Sequence, residues 1–333
     1  MSKRTAVAVL ALVGASLAAG PLAAQDKMMK KPSGFPERPL TIVVPYGPGG
    51  GSDQVSRAMA PAMQKFIGQP IQVVNKPGAS GLAAVPDFMG APADGYTIIQ
   101  HIDDAITHFA AGKLKEDPTE DWIPLGISQI TFSQLYVRGD ENRFSDWPSL
   151  LRYIKANPGK VTVANVSGDG TMERVQMSLV QKALGIKTNQ ISYDKPSERY
   201  ASLIGGHVDV LFEQPGDIRQ FLEARQMKPV LTFLKERPAA FKDVPAIGEI
   251  APNVPSLLRF RGFFVKKGIP GDRLKYLEWA FSQAYRTPEY QKFNKDNYMD
   301  VIDSFRDRRG AIRLMKDTAG TYKKAYQELG IAK

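Results

Sequence analysis

The chain has 333 residues, 43% of them hydrophobic and 23% charged, with 44 Lys and Arg against 34 Asp and Glu for a net charge of +10. This composition excludes a disordered, collagenous or multi-span membrane protein, and the length suits about two domains. Cysteine is absent, which excludes disulfides, zinc–cysteine sites, iron–sulfur clusters, a cysteine nucleophile and a lipid-anchored N-terminal cysteine.

Lys3 and Arg4 precede an Ala/Val/Leu run, and Leu22, Ala23 and Ala24 place small residues before Gln25. This is the layout of a secretory signal peptide over residues 1–24, with a flexible leader over 25–34, so an exported protein is expected. Residues 40–46 (LTIVVPY) form a short β-branched apolar run that reads as a buried strand. GPGGG breaks it, Ser52 and Asp53 are helix-start residues, and residues 54–67 follow with helical spacing at Val55, Met59, Met63 and Phe66. A second strand (71–74), a second glycine loop (76–81), a helix (82–89) and a third strand (96–99) complete the first half. The pattern then repeats, with a strand at 161–166, the loop SGDGT, and a helix at 172–184. Strands at 190–193, 208–212, 229–233 and 261–265 follow, with helices at 199–204, 217–224, 272–285, 288–295 and 309–329.

Strands alternating with helices predict parallel sheets covered on both faces. The breaks near 127–131 and 232–234 predict two α/β lobes joined by two crossing strands. Lobe 1 is expected to hold residues 35–128 plus 234–333, and lobe 2 residues 129–233. Ligands of such folds sit at the carboxyl ends of strands, in the crevice between domains. Residues 259–333 carry 17 Lys and Arg against 9 Asp and Glu. Arg306, Arg308 and Arg309 alternate with Asp303 and Asp307 as on a solvated helix face, so no nucleic-acid partner is expected.

GPGGGSD is not a phosphate-binding P-loop, because no Gly-Lys-Ser/Thr follows. Nor is it a dinucleotide fingerprint, because Ser52 stands where the third glycine belongs and Asp94 is too distant to hold a ribose. A glycine loop opening a helix does expose backbone N–H groups at the positive end of the helix dipole, which suits a small anion. KPGASG and SGDGT offer the same feature. Tight turning explains the glycines of any one loop; three loops at three strand ends point to an anion cleft.

Catalytic signals are weak. His101, His108 and His207 lack metal-ligand spacing and read as satisfied or surface histidines, and no Gly-x-Ser-x-Gly elbow occurs. No metal or cofactor is expected. Asp103 and Asp104 are candidate paired carboxylates or cation ligands, with one facing the cleft and one solvated as the modest reading. Tyr46 and Trp122 are candidates for stacking on a ligand or for ordinary packing.

The segments PLTIVVPYGPGGGSD (39–53), NKPGASG (75–81), ADGYT (93–97), NPGKV (157–161), GGHVDVLF (205–212) and DVPAIGE (243–249) together resemble the tripartite tricarboxylate transporter receptors, the Bug-type periplasmic solute-binding proteins. The resemblance runs from about Phe35 to Lys333. It implies a type II periplasmic-binding-protein fold that closes on a small organic acid and hands it to membrane transporter subunits, with no catalysis, as a monomer in the periplasm. It also implies a ligand carboxylate held, largely through backbone N–H groups and water, by the loops of Tyr46, Pro48, Gly49, Gly50, Gly51, Ser52 and Asp53 and of Gly78, Ala79, Ser80 and Gly81, with Ser167, Gly170 and Thr171 facing them from lobe 2.

The chain departs from that pattern in its acids. Tyr193 is kept in the second-lobe turn but is followed by Asp194, Glu213 ends a strand, and Asp103 and Asp104 follow the third strand. If these face the cleft, the ligand has one carboxylate and a hydroxyl, amide or ammonium far end, as a small organic acid or an amino-acid-like molecule does. Alternatively, the acids point to solvent or pair with Lys195, Arg199 or Arg174. A ligand sensor for a signalling receptor, or a secreted enzyme using Asp103, Asp104 or Glu213 as acid and base, are the rival functions.

Overall fold

The computed structural model describes residues 28–331. The expected signal peptide and the start of the leader lie outside them. The first half of the chain runs Leu40–Val44 (β1), Gly51–Ile67 (α1), Ile71–Asn75 (β2), Val85–Gly90 (α2), Thr97–Ile102 (β3), Asp104–Ala110 (α3) and Trp122–Thr131 (β4). It crosses at once into Gln134–Arg138 (β5), followed by Trp147–Ala156 (α4), Thr162–Val166 (β6), Met172–Leu184 (α5), Asn189–Tyr193 (β7), Pro196–Ile204 (α6), Val210–Glu213 (β8), Arg219–Glu223 (α7) and Met227–Thr232 (β9). Ile247–Ile250 (α8) lies on the return path, and Arg259–Lys266 (β10), Gly271–Arg286 (α9), Pro288–Asp296 (α10) and Arg308–Leu329 (α11) close the molecule.

Two five-stranded sheets result, in the orders β2-β1-β3-β10-β4 and β7-β6-β8-β5-β9. In each, three parallel strands are joined by one antiparallel strand, β10 or β5, that has just arrived from the other lobe. The strands alternate as their period demands: Ile42 and Val44 pack with Met59, Met63 and Phe281 on one face, while Val43 packs with Phe88, Trp122 and Met315 on the other. Burial on both faces is why these strands read as unbroken apolar runs.

Several elements differ from expectation. Helix α1 is capped by Gly50 in extended backbone, not by Ser52 or Asp53. The second glycine loop opens a 3₁₀ turn, Ala79–Ala84, before α2. Strand β5 and helices α3 and α4 have no counterpart in the expected pattern, and of β4 only its end was expected, as the crossing near 127–131. β4 is ten residues long and almost wholly buried, so it lacks the polar alternation that marks a strand. Phe233, Ile247, Ala251, Val254 and Leu257 pack into the core of the second sheet. We therefore propose that lobe 2 extends to about residue 257, beyond the expected boundary at 233. Helix α11 ties both lobes together, with Ala311 and Met315 in the first core and Tyr322, Ala325 and Tyr326 in the second.

Candidate functional site

Helix α1, which follows β1, and helix α5, which follows β6, start at the lobe boundary, and each start meets a carboxylate from the opposite lobe. The backbone N–H of Met172, at the start of α5, donates to Asp104 Oδ1 at 3.4 Å. At the start of α1, a side chain on Gly51 would collide with the Asp217 carboxylate and the Arg261 guanidinium. Close approach of the lobes is thus a second reason for the glycines of GPGGG. Gly49 adds a conformational one, with φ at +83°.

Arg259 and Arg261, two apart on β10, lie on one face of the strand and enter this boundary together. Arg259 meets Asp103 at 3.2 Å and Asp104 at 3.5 Å in lobe 1, and Glu173 at 3.5 Å in lobe 2. Arg261, 2% exposed, meets Asp217 at 2.5 Å, and its Nη1 donates to Gln129 Oε1 at 2.9 Å. Arg199 on α6 holds Glu173 at 3.2 Å and also pairs with Glu213. Three phenols complete the network: Tyr46 donates to Asp104, Tyr200 to Glu213 and Tyr322 to Asp103. Five carboxylic acids and three guanidinium groups are therefore collected in one place, each no more than 5% exposed.

Five acids cannot all ionise against three cations in a dry interior. Burial is the largest influence on Glu173 and raises its carboxyl to about 8; Glu213 adds to the rise, while Arg199 and Arg259 oppose it. Burial likewise raises Asp103 and Asp217, each to about 6. Burial also pushes the phenols of Tyr46, Tyr200 and Tyr322 far up, so they remain neutral donors. His101 is held down to about 4 by burial and is neutral.

A pH dependence follows from these directions. A raised carboxyl keeps its proton in the folded state after the unfolded chain has released it, so stability falls as pH rises towards the folded value. His101 acts in the opposite sense, but only below the ordinary histidine value of about 6.5. From pH 6.5 to 8 the folded protein should lose about 1–2 kcal/mol through Glu173. Urea unfolding at the two pH values measures this, and Glu173→Gln should flatten the difference.

The structure disperses the residues expected from the sequence. Tyr46, Gly50, Gly51, Ser52 and Glu213 line a small cavity of about 30 Å³ at the boundary, beside Arg199, Tyr200, Gln214, Asp217, Arg259 and Arg261. Pro48, Gly49 and Ala79 are exposed. Asp53 turns back to accept from Gly49 N and Asn75 and to pair with Arg57, so it shapes the loop. Gly78, Ala79, Ser80 and Gly81 all have positive φ, and this loop touches the third loop where Gly168 N donates to Ser80 Oγ at 3.0 Å. Gly81 lies against the Tyr46 hydroxyl. Ser167, also at positive φ, has a buried hydroxyl at this boundary. Thr171 donates to Gly168 O within its own loop, and Gly170 O accepts from Tyr326.

The acids behave as follows. Asp103 and Asp104 are both fully buried, correcting the expectation that one would be solvated, because Arg259 reaches both. Asp194 is exposed, and Tyr193 turns into lobe 2 to share a hydrogen bond with Ser202. Trp122 packs among Phe88, His101 and Phe264 in the core. His108 Nε2 is held by Ser80 O at 2.8 Å, and His207 is exposed. Sequence reasoning missed Glu173, Gln214, Asp217, Arg259 and Arg261. The signal available was RFRGFFV: two arginines two apart in an otherwise apolar strand must share a face.

A larger groove of about 1200 Å³ lies outside this boundary, lined by Phe109, Lys113, Arg174, Lys316, Lys323 and Tyr326. It lacks the convergent buried charges and the start of α1, so the small cavity is the better candidate site. Among the described residues no group of three or more His, Asp or Glu is placed to hold a metal ion.

Comparison with known proteins agrees with this architecture. Residues 55–331 match the model of a family described as tripartite tricarboxylate transporter family receptor. A UPF0065 protein from the gbd 5′ region of Cupriavidus necator is 27% identical over 337 residues, covering 100% of this chain and 99% of the relative. BugT of Bordetella pertussis is 25% identical over 246 residues, 73% of each chain. Among solved structures, the periplasmic binding protein BugD superposes with a TM-score of 0.81 at 22% identity, covering 90% of this chain and 99% of that one. MatC from Rhodopseudomonas palustris with bound malate superposes with a TM-score of 0.78 at 23% identity, covering 87% and 99%. At these identities the structures establish the fold, a two-lobed α/β architecture of the periplasmic-binding-protein type.

Proposed function

The chain belongs to the tripartite tricarboxylate transporter receptor family, and we propose that it is a periplasmic receptor that captures a small carboxylate-bearing molecule between its lobes and delivers it to a membrane transporter of the tripartite type. The observation that carries this reading is the closed boundary itself. Arg199, Arg259 and Arg261 line one cavity, and the starts of α1 and α6 meet at it from opposite lobes. Such donors suit a carboxylate. Two fold neighbours were solved with organic acids, malate in one and adipate in the other.

The acids do not form the free wall expected from the sequence. Asp103, Asp104 and Glu213 are engaged by arginines and phenols. They are therefore not poised to repel a carboxylate or to exchange protons with a substrate, which supports binding without turnover. Capture then works by closure, because a ligand that contacts both lobes favours the closed form over the open one.

The test is a thermal-melt screen of the chain from residue 25 with mono-, di- and tricarboxylates, amino acids and sugars. A ligand at about a hundredfold over its dissociation constant adds roughly 2.7 kcal/mol, which should raise the midpoint by several degrees. The responding acid should be recovered chemically unchanged. A response confined to sugars, or none at all, would overturn the reading.

A further inference from the structure

The space beside the start of α1 is already filled by a carboxylate of the protein. The Asp217 carboxylate, from the 3₁₀ turn Pro215–Ile218 of lobe 2, lies where a side chain on Gly51 would be, paired with Arg261 at 2.5 Å. Gln214 Oε1 accepts from the same guanidinium at 3.3 Å, and Gln54 of lobe 1 donates to the Asp217 backbone carbonyl at 3.1 Å. Arg261 is 2% exposed, its Nε has no hydrogen-bond partner, and it lines the small cavity. That cavity, about 30 Å³, has room for about one water molecule and none for an organic acid. An incoming carboxylate therefore reaches Arg261 only if Asp217 leaves it.

We propose that Asp217 is a tethered stand-in for the ligand, its carboxylate occupying on Arg261 and the first glycine loop the place that the ligand's carboxylate takes, so that capture exchanges one carboxylate for another. The assignment rests on the receptor reading given above and makes Asp217 a determinant of affinity. In the ligand-free protein, Asp217 stabilises closure. In the complex it is displaced and contributes nothing to binding. Removing it therefore weakens the competing ligand-free state and tightens ligand binding, whereas an ordinary interlobe ion pair retained in the complex would weaken binding when removed.

The experiment uses Asp217→Asn and Asp217→Ala in the chain from residue 25, each first checked for a cooperative melt. With the acid that gives the largest melt shift, Asp217→Asn should lower the dissociation constant about tenfold, equivalent to about 1.4 kcal/mol. An unchanged or raised constant overturns the proposal. Without any ligand, Asp217→Ala should be more open than wild type by small-angle X-ray scattering. Millimolar acetate should reclose it, and sodium chloride at equal ionic strength should not. Asp217→Asn, whose amide still fills the space, should not respond to acetate. If Asp217→Ala stays closed, or acetate acts no differently from chloride, the proposal is wrong. If acetate recloses Asp217→Ala while no larger acid binds any form, the stand-in role stands and the receptor reading falls.

Discussion

Replacing Arg259 by methionine is expected to destabilise the protein by about 3–5 kcal/mol, the cost of leaving buried charges uncompensated. Arg259 is 1% exposed and is the shared partner of Asp103, Asp104 and Glu173. Methionine fills much of the volume but returns no charge, so the loss is electrostatic rather than a cavity effect. At roughly 2–4 °C per kcal/mol for a chain of a few hundred residues, the midpoint should drop by about 6–20 °C. Adding Asp104→Asn should recover part of that drop, because it removes one stranded acid. Urea unfolding of wild type, single and double variants measures both changes. A loss below about 1 kcal/mol would mean that the acids around Arg259 are already neutral in the folded protein.

Replacing Gly50 by alanine should leave the lobes folded and cripple their closure. Gly50 has φ −82° and ψ 169°, which any residue adopts, so no backbone strain arises. Its added methyl would lie 2.5 Å from Pro196 Cγ and 3.3 Å from Pro196 Cβ, on the rigid ring that begins α6 in the opposite lobe. Overpacking of this kind costs about 1–3 kcal/mol. Both closed forms, ligand-free and bound, incur that cost, so the ligand-free variant should rest more open than wild type and ligand affinity should fall by up to about 100-fold. The melt of the ligand-free variant should move far less than that of Arg259→Met. Calorimetric titration with the acid identified in the melt screen reads the affinity, and Gly50→Leu should deepen the loss. Unchanged affinity would show that the ligand-bound lobes do not close onto Pro196.

These two residues also mark the limits of sequence reasoning. The glycine loop, its strand and its helix were legible because each rests on a local pattern: a β-branched run, a glycine break and helical spacing. The loop's meaning was only half legible. Backbone N–H groups at a helix start follow from any glycine loop, but Pro196 lies 146 positions away from Gly50 in the chain, and nothing near Gly50 announces it. Arg259 was counted as part of a basic C-terminal stretch. Its partners Asp103 and Glu173 are 156 and 86 residues away, brought together when β10 pairs with β3 and the lobes meet.

The strand–loop–helix alternation around the three glycine loops, the position of those loops and the two α/β lobes follow from the amino-acid sequence, since periodicity and turn chemistry act over a few residues. The acids Asp103, Asp104 and Glu213 were also singled out from it, but their state was not. Whether a carboxylate repels a ligand, pairs with an arginine or holds a proton depends on what faces it and how dry the surroundings are. Here that was decided by strand pairing and lobe closure, which set Arg199 against Glu213, Arg259 against Asp103 and Asp104, and Asp217 against Arg261.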